Sequence, residues 1–488
     1  MIVRSPAAPL QLDLLSAREV CVTFDGECVV SDTGLLAVRA LDKSLGVLAD
    51  LAARLPDPRS PKYIHHSAEA LLIQEVYQIL AGYPDLHDAD HLRSDPLFQI
   101  LADVVPDPLH PLASGSTVAR FSYAYTRRQA ELPPEERPVL LEVDRAQSQR
   151  LRLLNDYLVE LFLRTRRQVP AEIILDVDAT DDPTHGQQTL SAYHGYFRQH
   201  QYFPLLVYDG ATGFPLAAWL RPGTASASCG AADILAPILA RLRAAWPGVR
   251  ITLRGDSGLA VPEMYTFCEG QDVRYVFGFG SNEVLKRATA QALADVELYY
   301  HFYGRREPHV QRFEEIPGYQ AGTWPHPRRI VAKIEHTPQG SQRRFVVTDL
   351  AEAPAVVYRE WYVPRGAVPE QPIGEMKNGL EADRLSACGF RANAFRLLVH
   401  TVAYALVVLF REAAAAVPEV ATAQVSTLRQ RLWKVGAVVR VSTRRVWLQV
   451  SATWPGRQLW WRVQEAVARF VEQVRARGGV LACASPTG

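Results

Sequence analysis

The stretch IILDVDAT, residues Ile173–Thr180, decides how the rest of this sequence is interpreted. Its run of apolar, mostly β-branched residues is bounded by polar turn formers, which predicts a short buried strand. Side chains alternate along a strand, so Asp176 and Asp178 point to the same side near its end. Two carboxylates at such a place are costly to desolvate unless a positive group pairs with them. The alternative is that they only cap the following turn, which is rich in turn formers.

A second stretch of the same kind, VRITLRGD, spans Val249–Asp256 and is followed by Ser-Gly. It again predicts a buried strand that delivers an aspartate at its carboxyl end. Two such strands indicate a shared divalent-metal site on one sheet. A third carboxylate is then expected elsewhere in the chain.

The composition is that of a soluble globular protein, with 48% hydrophobic and 22% charged residues among 488. The net charge of +1 does not by itself indicate a nucleic-acid partner, although local basic patches remain allowed. The six cysteines form no CxxC pair, which argues against a zinc site or a disulfide framework. The most apolar stretch, Leu397–Phe410, contains His400, so a core helix is favoured over a membrane span. We therefore expect a soluble, cytoplasmic protein without a membrane partner.

The central region predicts an α/β fold. A strand at Ile173–Asp178 is followed by a hairpin, Tyr202–Asp209 and Phe214–Leu220, around the turn Gly-Ala-Thr-Gly. A helix at Ala231–Trp246, the strand ending at Asp256, another helix and the strand Val273–Phe279 come next. Three antiparallel strands followed by alternating helices and strands predict a ribonuclease-H-like arrangement.

The flanking regions predict further domains. Short Ser-capped helices at Ser67–Leu80 and Ser116–Ala124 are compatible with a helix-turn-helix DNA reader or with a plain packing module. An antiparallel pair at Arg329–His336 and Arg344–Leu350 indicates a β-rich insertion, and Arg384–Glu412 predicts a long helix. The predicted domains are an N-terminal helical DNA-binding region, the first part of the core, the insertion, the second part of the core and a basic, Trp-rich region, at 1–168, 169–280, 281–358, 359–415 and 416–488.

The segment Ala421–Phe470 predicts a DNA-contacting face, because basic and aromatic side chains alternate along it. The alternative is that the arginine stems only cover a core. Its basic residues are Arg429, Arg431, Lys434, Arg440, Arg444, Arg445, Arg457, Arg462 and Arg469.

The segment Tyr362–Lys377, YVPRGAVPEQPIGEMK, supplies candidates for the third carboxylate. Glu370 and Lys377 are seven residues apart, so on a helix they lie on nearly one face. Glu375 is turned well away from Glu370. The helix therefore offers one carboxylate and one cation together.

At these residues the sequence resembles the DDE transposases of bacterial insertion sequences, in particular the thirteen-eighty type with a β-rich insertion in a ribonuclease-H-like core. The signature of the group is Tyr, two residues, Arg, three residues, Glu, six residues, Lys. Tyr362, Arg365, Glu370 and Lys377 match it in type, although the interval from Arg to Glu is one residue longer here. Further sequence motifs that resemble this group occur in order along nearly the whole chain: TFDG, SDTGLL, DVDATDDPTHGQQ, YFPLLVYDGATG, LRPG, LRGDSG and KNGLEADRLSACGFRANAFRLLVHTVAYAL.

The resemblance implies catalytic, metal-binding carboxylates at Asp178, Asp256 and Glu370, with Asp176 the alternative to the first and Glu375 to the last. It also implies two Mg²⁺ or Mn²⁺ ions, which agrees with the absence of Cys/His clusters, since acidic ligands suit hard cations. The expected DNA-binding residues are Tyr362, Arg365, Lys377, Arg444 and Arg445.

The implied activity is DNA transposition by a homodimer on double-stranded DNA, namely the element's terminal inverted repeats and a target. The implied location is cytoplasmic and nucleoid-associated. Two other interpretations stay open at this point. One is a nuclease on the same core, which needs the three carboxylates but not the Tyr/Arg/Lys set. The other is a decayed copy that binds DNA without cutting, which the longer interval before Glu370 allows.

Overall fold

The structure is a computed structural model that describes residues 10–15, 18–22, 26–57, 59, 61–123, 149–304, 306–367 and 370–482. Its strands in chain order are β1 (Leu10–Leu15), β2 (Arg18–Val22), β3 (Val29–Val30), β4 (Glu172–Ala179), β5 (Asp182–Pro183), β6 (Ala192–His194), β7 (Gln199–Tyr202), β8 (Leu205–Asp209), β9 (Pro215–Trp219), β10 (Arg250–Gly255), β11 (Arg274–Phe279), β12 (Val310–Tyr319), β13 (Arg328–Thr337), β14 (Gly340–Thr348), β15 (Ala437–Val441) and β16 (Val446–Val450).

The main helices are α1 (Leu36–Leu45), α2 (Val47–Arg54), α3 (Ala68–Ala81), α4 (Asp88–Leu92), α5 (Pro96–Leu101), α6 (Gly115–Tyr123), α7 (Gln149–Thr165), α8 (Ala231–Ala245), α9 (Pro262–Gly270), α10 (Glu283–Ala288), α11 (Ala290–Tyr303), α12 (Phe390–Ala413) and α13 (Arg457–Ala482). Shorter helical turns lie at Pro354–Val356, Val363–Ala367, Glu370–Gly374, Pro418–Ala421 and Val425–Leu428. Wider, π-helical turns lie at Val357–Tyr362, Glu375–Gly379 and Arg429–Trp433.

One eight-stranded mixed sheet carries the fold, in the order β12-β13-β14-β11-β10-β4-β8-β9. Strands β4, β10 and β11 run parallel to one another, and the β8–β9 hairpin continues antiparallel from β4. The predicted strands and helices between residues 173 and 279 are all present, so the interpretation of the apolar runs as buried strands is confirmed. A mixed α/β protein with a large sheet is the result.

The segment 281–358 contains more secondary-structure elements than the sequence predicted. The predicted antiparallel pair is present as β13 and β14, but α10, α11 and β12 were not predicted. Strand β12 lies at the edge of the sheet, where both faces approach solvent, so it lacks the apolar alternation that identifies a half-buried strand. Because β14 pairs with β11, these strands extend the main sheet rather than forming a sheet of their own.

Helix α12 is the centre of the helical half of the protein. Among the described residues it alone is long and apolar enough to cross a membrane, and its most apolar stretch is entirely buried inside the protein. Helices α3 and α7, together with α13 and β9, pack around it. The predicted core helix is therefore confirmed.

Helix α3 is buried along Leu71–Ala81, with Ser67 accepting a hydrogen bond from Ala70 N as its N-cap. A helix covered in this way presents no face to a DNA groove, so the packing module is favoured over the helix-turn-helix at this position. The predicted DNA-binding role of residues 1–168 stays a prediction; residues 124–148 and part of the first 25 lie outside the described residues.

The beginning and the end of the described chain meet in one small sheet, in which β3 pairs with β15. Beside it, Thr33 N donates to the carbonyl oxygen of Val435 at 3.1 Å. Gly34 lies so close to the turn at Leu432 that a Cβ placed on it would overlap that residue's carbonyl oxygen. Only glycine fits there.

We expect Gly34→Ala to lower the free energy of unfolding by about 1–3 kcal/mol, because backbone must move to admit the methyl group. Gly26→Ala is the control, since nothing lies within 4 Å of its added Cβ. Urea denaturation of both variants measures the difference. Equal stabilities would contradict the close approach of the two ends of the chain.

Candidate active site

Asp178 and Asp256 lie at the carboxyl ends of neighbouring parallel strands. In the pairing of β4 with β10, Gly255 stands opposite Val177, so the next residue on each strand is one of these aspartates. Paired strands are about 4.8 Å apart, which brings the two positions side by side. Asp256 Oδ1 accepts from Gly258 N at 2.9 Å, and Asp178 Oδ1 accepts from Ala179 N at 2.9 Å. These backbone hydrogen bonds orient both carboxylates at the edge of the sheet.

Asp176 has a different environment from Asp178, although the two share a strand. Its carboxylate is completely buried and accepts from Arg254 Nε at 2.6 Å and from Nη2 at 2.7 Å. Burial raises the pKa of Asp176, against the lowering effect of the Arg254 guanidinium. Both of its oxygens are thus occupied by one cation, which favours a structural role over metal ligation.

Glu375, the alternative third carboxylate, is also held in an ion pair. Arg411 donates to it from Nη1 at 2.8 Å and from Nη2 at 2.5 Å. Its carboxylate also accepts from Tyr404 Oη at 3.1 Å and Val425 N at 2.9 Å. It therefore faces α12 and the turn that follows it. Its contacts are therefore with the helical half of the protein, whereas its predicted orientation relative to Glu370 stays a prediction.

Glu370 begins a helical turn, Glu370–Gly374, but its side chain lies outside the described residues, as do Val368 and Pro369. Among the side chains that the structure describes, no three of His, Cys, Asp or Glu are arranged to hold a metal ion. Glu370 as the third carboxylate stays a prediction.

Tyr362 and Arg365 lie beside the two aspartates. A Cβ built on Gly278 would lie 2.6 Å from the Tyr362 hydroxyl and 3.3 Å from the Asp256 carbonyl carbon, which locates the phenol next to Asp256. Arg365 Nη1 is 3.4 Å from Asp178 Oδ2, and its guanidinium lies over the Tyr362 ring. The helical segment thus brings a cation to the end of β4.

Lys377 contacts the loop that follows β4. Its Nζ donates to Asp181 Oδ1 at 2.9 Å and to the Asp181 carbonyl oxygen at 2.8 Å. Burial raises the pKa of Asp181, but the hydrogen bond and charge of Lys377 outweigh it, so the net pKa is lowered. Both signature cations are therefore paired with acids of the same strand end.

Arg444 and Arg445 are not brought to this site. They lie in the exposed turn between β15 and β16, where the Arg445 guanidinium lies over the Trp447 ring. No described contact links this turn to Asp178 or Asp256.

Some side chains of the 421–470 region are held by the scaffold or by acids. Arg429 donates to the carbonyl oxygens of Leu80 and Gly379, and Trp433 is completely buried. Arg440 pairs with Glu27, and Arg462 pairs with Glu419. Arg431, Arg457 and Arg469 are exposed, as is the β15–β16 turn, so a DNA-contacting face in this region stays a prediction.

Sequence reasoning missed the roles of Arg254, Arg411 and Asp181. Arg254 stands opposite Asp176 in the register of β10 with β4, and its Nη1 also donates to the Trp361 carbonyl oxygen at 3.1 Å. The available signal was an arginine inside an apolar strand, which requires a buried partner. The pairing of Glu375 with Arg411 had no such signal, because the two residues are distant in sequence.

Comparison with known proteins decides the family. Residues 12–472 match the family model described as transposase DDE domain group 1. The chain belongs to the DDE transposase family. No curated protein sequence matches it.

A similar solved structure is the cryo-EM structure of piggyBac transposase in a synaptic complex with hairpin DNA. It has 10% sequence identity over 94% of this chain and 83% of that chain, with a TM-score of 0.43. A score this low carries no argument about the fold or the site. The family alone makes this protein a transposase, an enzyme that cleaves and rejoins phosphodiester bonds in DNA.

In the transposase, Glu375→Gln should lower the free energy of unfolding by about 3–5 kcal/mol, because Arg411 would remain buried without a charged partner. Glu419→Gln is the matched control, since Glu419 and its partner Arg462 are both exposed, and it should leave stability nearly unchanged. Urea denaturation measures both values. A stable Glu375→Gln protein that no longer cleaves DNA would instead assign Glu375 to the chemistry.

Proposed function

We propose that this protein is the transposase of a bacterial insertion sequence of the thirteen-eighty type. It binds the terminal inverted repeats of its own element, cleaves the DNA there and transfers the ends to a target. The observation that carries the proposal is the register of β4 with β10, which sets Asp178 beside Asp256 while Arg365 and Lys377 reach the same strand end.

The strand order supports a ribonuclease-H-like core. Three strands, β9, β8 and β4, are antiparallel neighbours, and β10 and β11 follow in parallel on the other side of β4. The predicted insertion then corresponds to the segment from α10 to β14. Ligands of open α/β sheets bind beyond the carboxyl ends of parallel strands, which is where both aspartates lie.

The carboxylates suit Mg²⁺ or Mn²⁺, which prefer hard oxygen ligands. Asp178 and Asp256 would hold two such ions together with Glu370. The pairing of Asp176 and Glu375 with arginines supports the choice of these three. When bound, the ions would polarise the scissile phosphate and lower the pKa of the attacking water or 3′-hydroxyl.

Arg365 and Lys377 would bind phosphates of the transposon end. In the structure their charges are satisfied by Asp178 and Asp181. If Asp178 holds a metal ion, the Arg365 guanidinium would be free to contact a DNA phosphate, while Lys377 lies at the same strand end beside Asp181. Tyr362, which lies against the Arg365 guanidinium, would hold that side chain in place. The DNA-bound form is expected to be a homodimer in the bacterial cytoplasm.

Asp256→Asn should reduce cleavage of a duplex carrying the terminal repeat to the level of a protein-free control, because the ions lose a charged ligand. Binding of the same duplex should persist, since the phosphates are bound by other residues. Gel analysis with Mg²⁺ and a binding titration measure the two properties. Asp295→Asn, which removes an exposed partner of Arg312, is the control and should cut normally.

The repeat sequence is read from the DNA on either side of the reading frame. An Asp256→Asn protein that still cuts with normal metal dependence would contradict the mechanism. A wild-type protein that binds this duplex but never cuts it would identify a decayed, DNA-binding copy.

The exposed turn between β15 and β16 is proposed to bind the DNA backbone. Reversing Arg444 and Arg445 to Glu should weaken duplex binding and reduce the slope of log K against log salt by about 1 for each phosphate that is no longer neutralised. The control reverses Lys286 and Arg287 on α10, which changes the net charge equally. Titrations at several salt concentrations measure the slope. Unchanged affinity and slope in the folded Arg444/Arg445 variant would make the turn scaffold.

A further inference from the structure

A small three-stranded sheet, β5-β7-β6, is formed by the chain between the candidate active-site strand β4 and its neighbour β8. Its strands β6 and β7 form a hairpin, in which Tyr193 stands opposite His200. The turn is closed by a hydrogen bond from Arg198 N to the His194 carbonyl oxygen at 2.8 Å. Arg198 adopts the left-handed region, with φ of 56°, which few non-glycine residues do. We call residues 192–203 the aromatic hairpin.

The aromatic rings of this hairpin form a series that begins in the core and ends at the exposed surface. Phe203 is buried, and Phe197 packs against it with ring centroids 6.1 Å apart. Tyr196 lies edge-on to Phe197 at 5.0 Å and is itself 84% exposed. Tyr193 on the same hairpin is 59% exposed. Single exposed aromatic side chains are common on protein surfaces. Several exposed rings at one turn, packed on a buried ring, are instead typical of a binding surface.

Two separate contacts attach this hairpin to the candidate active site. Gln199 Nε2 donates to Asp181 Oδ2 at 3.0 Å, and Asp181 is the partner of Lys377. The other contact starts at the buried Phe203, whose ring lies under the Arg221 guanidinium at 5.4 Å. The hairpin is therefore attached to the end of β4.

Arg221 continues the second contact toward Asp256. Its Nη1 donates to the carbonyl oxygens of Ala227 and Cys229 at 3.0 and 2.8 Å. A Cβ on Gly258 would overlap the Ala227 methyl group, so this loop lies directly against the turn that Asp256 caps. The aromatic hairpin is thus tied to both strand ends that carry the predicted catalytic aspartates.

The charge of the hairpin suits a polyanion. Residues 183–208 contain no Asp or Glu, while they contain Arg198 and the histidines His185, His194 and His200. Arg198 and His200 are exposed beside the rings. An aromatic surface beside the Arg198 guanidinium, on a hairpin that itself carries no acid, matches the combination by which proteins bind single-stranded nucleic acid.

We propose that Tyr196 stacks on a nucleobase that is unpaired next to the scissile phosphate, with Arg198 contacting the adjoining backbone. The inference rests on the proposed function, because it requires DNA ends at Asp178 and Asp256. Moving a base out of the duplex costs unstacking free energy. Stacking of that base on an aromatic side chain offsets part of this cost. The hairpin, attached at both strand ends, holds Tyr196 in place, so little ordering is required when the base arrives.

The test uses the full-length Asp256→Asn protein, which removes cleavage from the measurement. Its binding is titrated with two probes of equal length, an intact duplex of the element's end and the same duplex with one base at the cleavage position left unpaired. We expect tighter binding of the unpaired probe, and we expect Tyr196→Ala to remove this preference, a change of about tenfold. Tyr196→Phe keeps the ring and should keep the preference. Phe302→Ala, which removes another exposed ring from α11, is the control.

A second measurement follows cleavage by the otherwise wild-type protein. Tyr196→Ala should slow cleavage of the intact end more than cleavage of the end that is already unpaired. If Tyr196→Ala leaves both the probe preference and the two cleavage rates unchanged, the stacking role is wrong. If the preference depends on Tyr196 but the wild-type protein never cuts, the stacking site stands and the proposed transposition does not.

Discussion

The buried ion pair between Asp176 and Arg254 is the constraint on which the site depends. Both groups lie in the middle of the sheet, opposite each other on β4 and β10, and removing either partner would leave a costly unpaired charge in the core. The pair defines the register of these strands, because a shift by one residue would bury two unpaired charges. That register in turn sets Asp178 beside Asp256. Arg254 also reaches the Trp361 carbonyl oxygen, so the segment bearing Tyr362 and Arg365 is attached to the same point.

Two acids at the end of β4 are paired with cations from the segment that follows the sheet. Arg365 faces Asp178, and Lys377 faces Asp181. Each cation reduces the electrostatic repulsion between carboxylates that lie close together. The two ion pairs also attach the segment that carries Arg365 and Lys377 to the end of this strand.

Helix α12 and its neighbours stabilise the segment that carries Glu370, Glu375 and Lys377. Glu375 is held by Arg411 from α12, and α12 is surrounded by helices that come from both ends of the chain. The described parts of this segment, 363–367 and 370–379, are thus held between the sheet on one side and α12 on the other. The wider helical turn at Glu375–Gly379 changes the phase of the helix between Glu370 and Lys377. A simple seven-residue count along a regular helix therefore does not describe this segment.

Apart from the edge strand β12, the sequence alone determined the strands of the main sheet, and it determined the family. Short apolar, mostly β-branched runs such as Ile173–Leu175, bounded by turn formers, predict buried strands. Helix α12 was equally evident, because its length and apolar composition require burial. In each of these segments the local sequence pattern alone explains why the chain forms a buried strand or helix. The edge strand β12 and the aromatic hairpin were missed because exposed strands lack that pattern.

Only the tertiary structure decided which carboxylates are committed to the scaffold. Asp176 and Asp178 are two residues apart on one strand and identical in chemistry, yet one faces Arg254 in the core and the other faces the site. Glu375 is distinguished from a metal ligand by Arg411, 36 residues away. The sequence also could not show which basic residues of the 421–470 region are buried, which are paired with acids and which are exposed. The physical reason is common to all of them: the role of a charge depends on the partner that folding brings to it, and that partner comes from elsewhere in the chain.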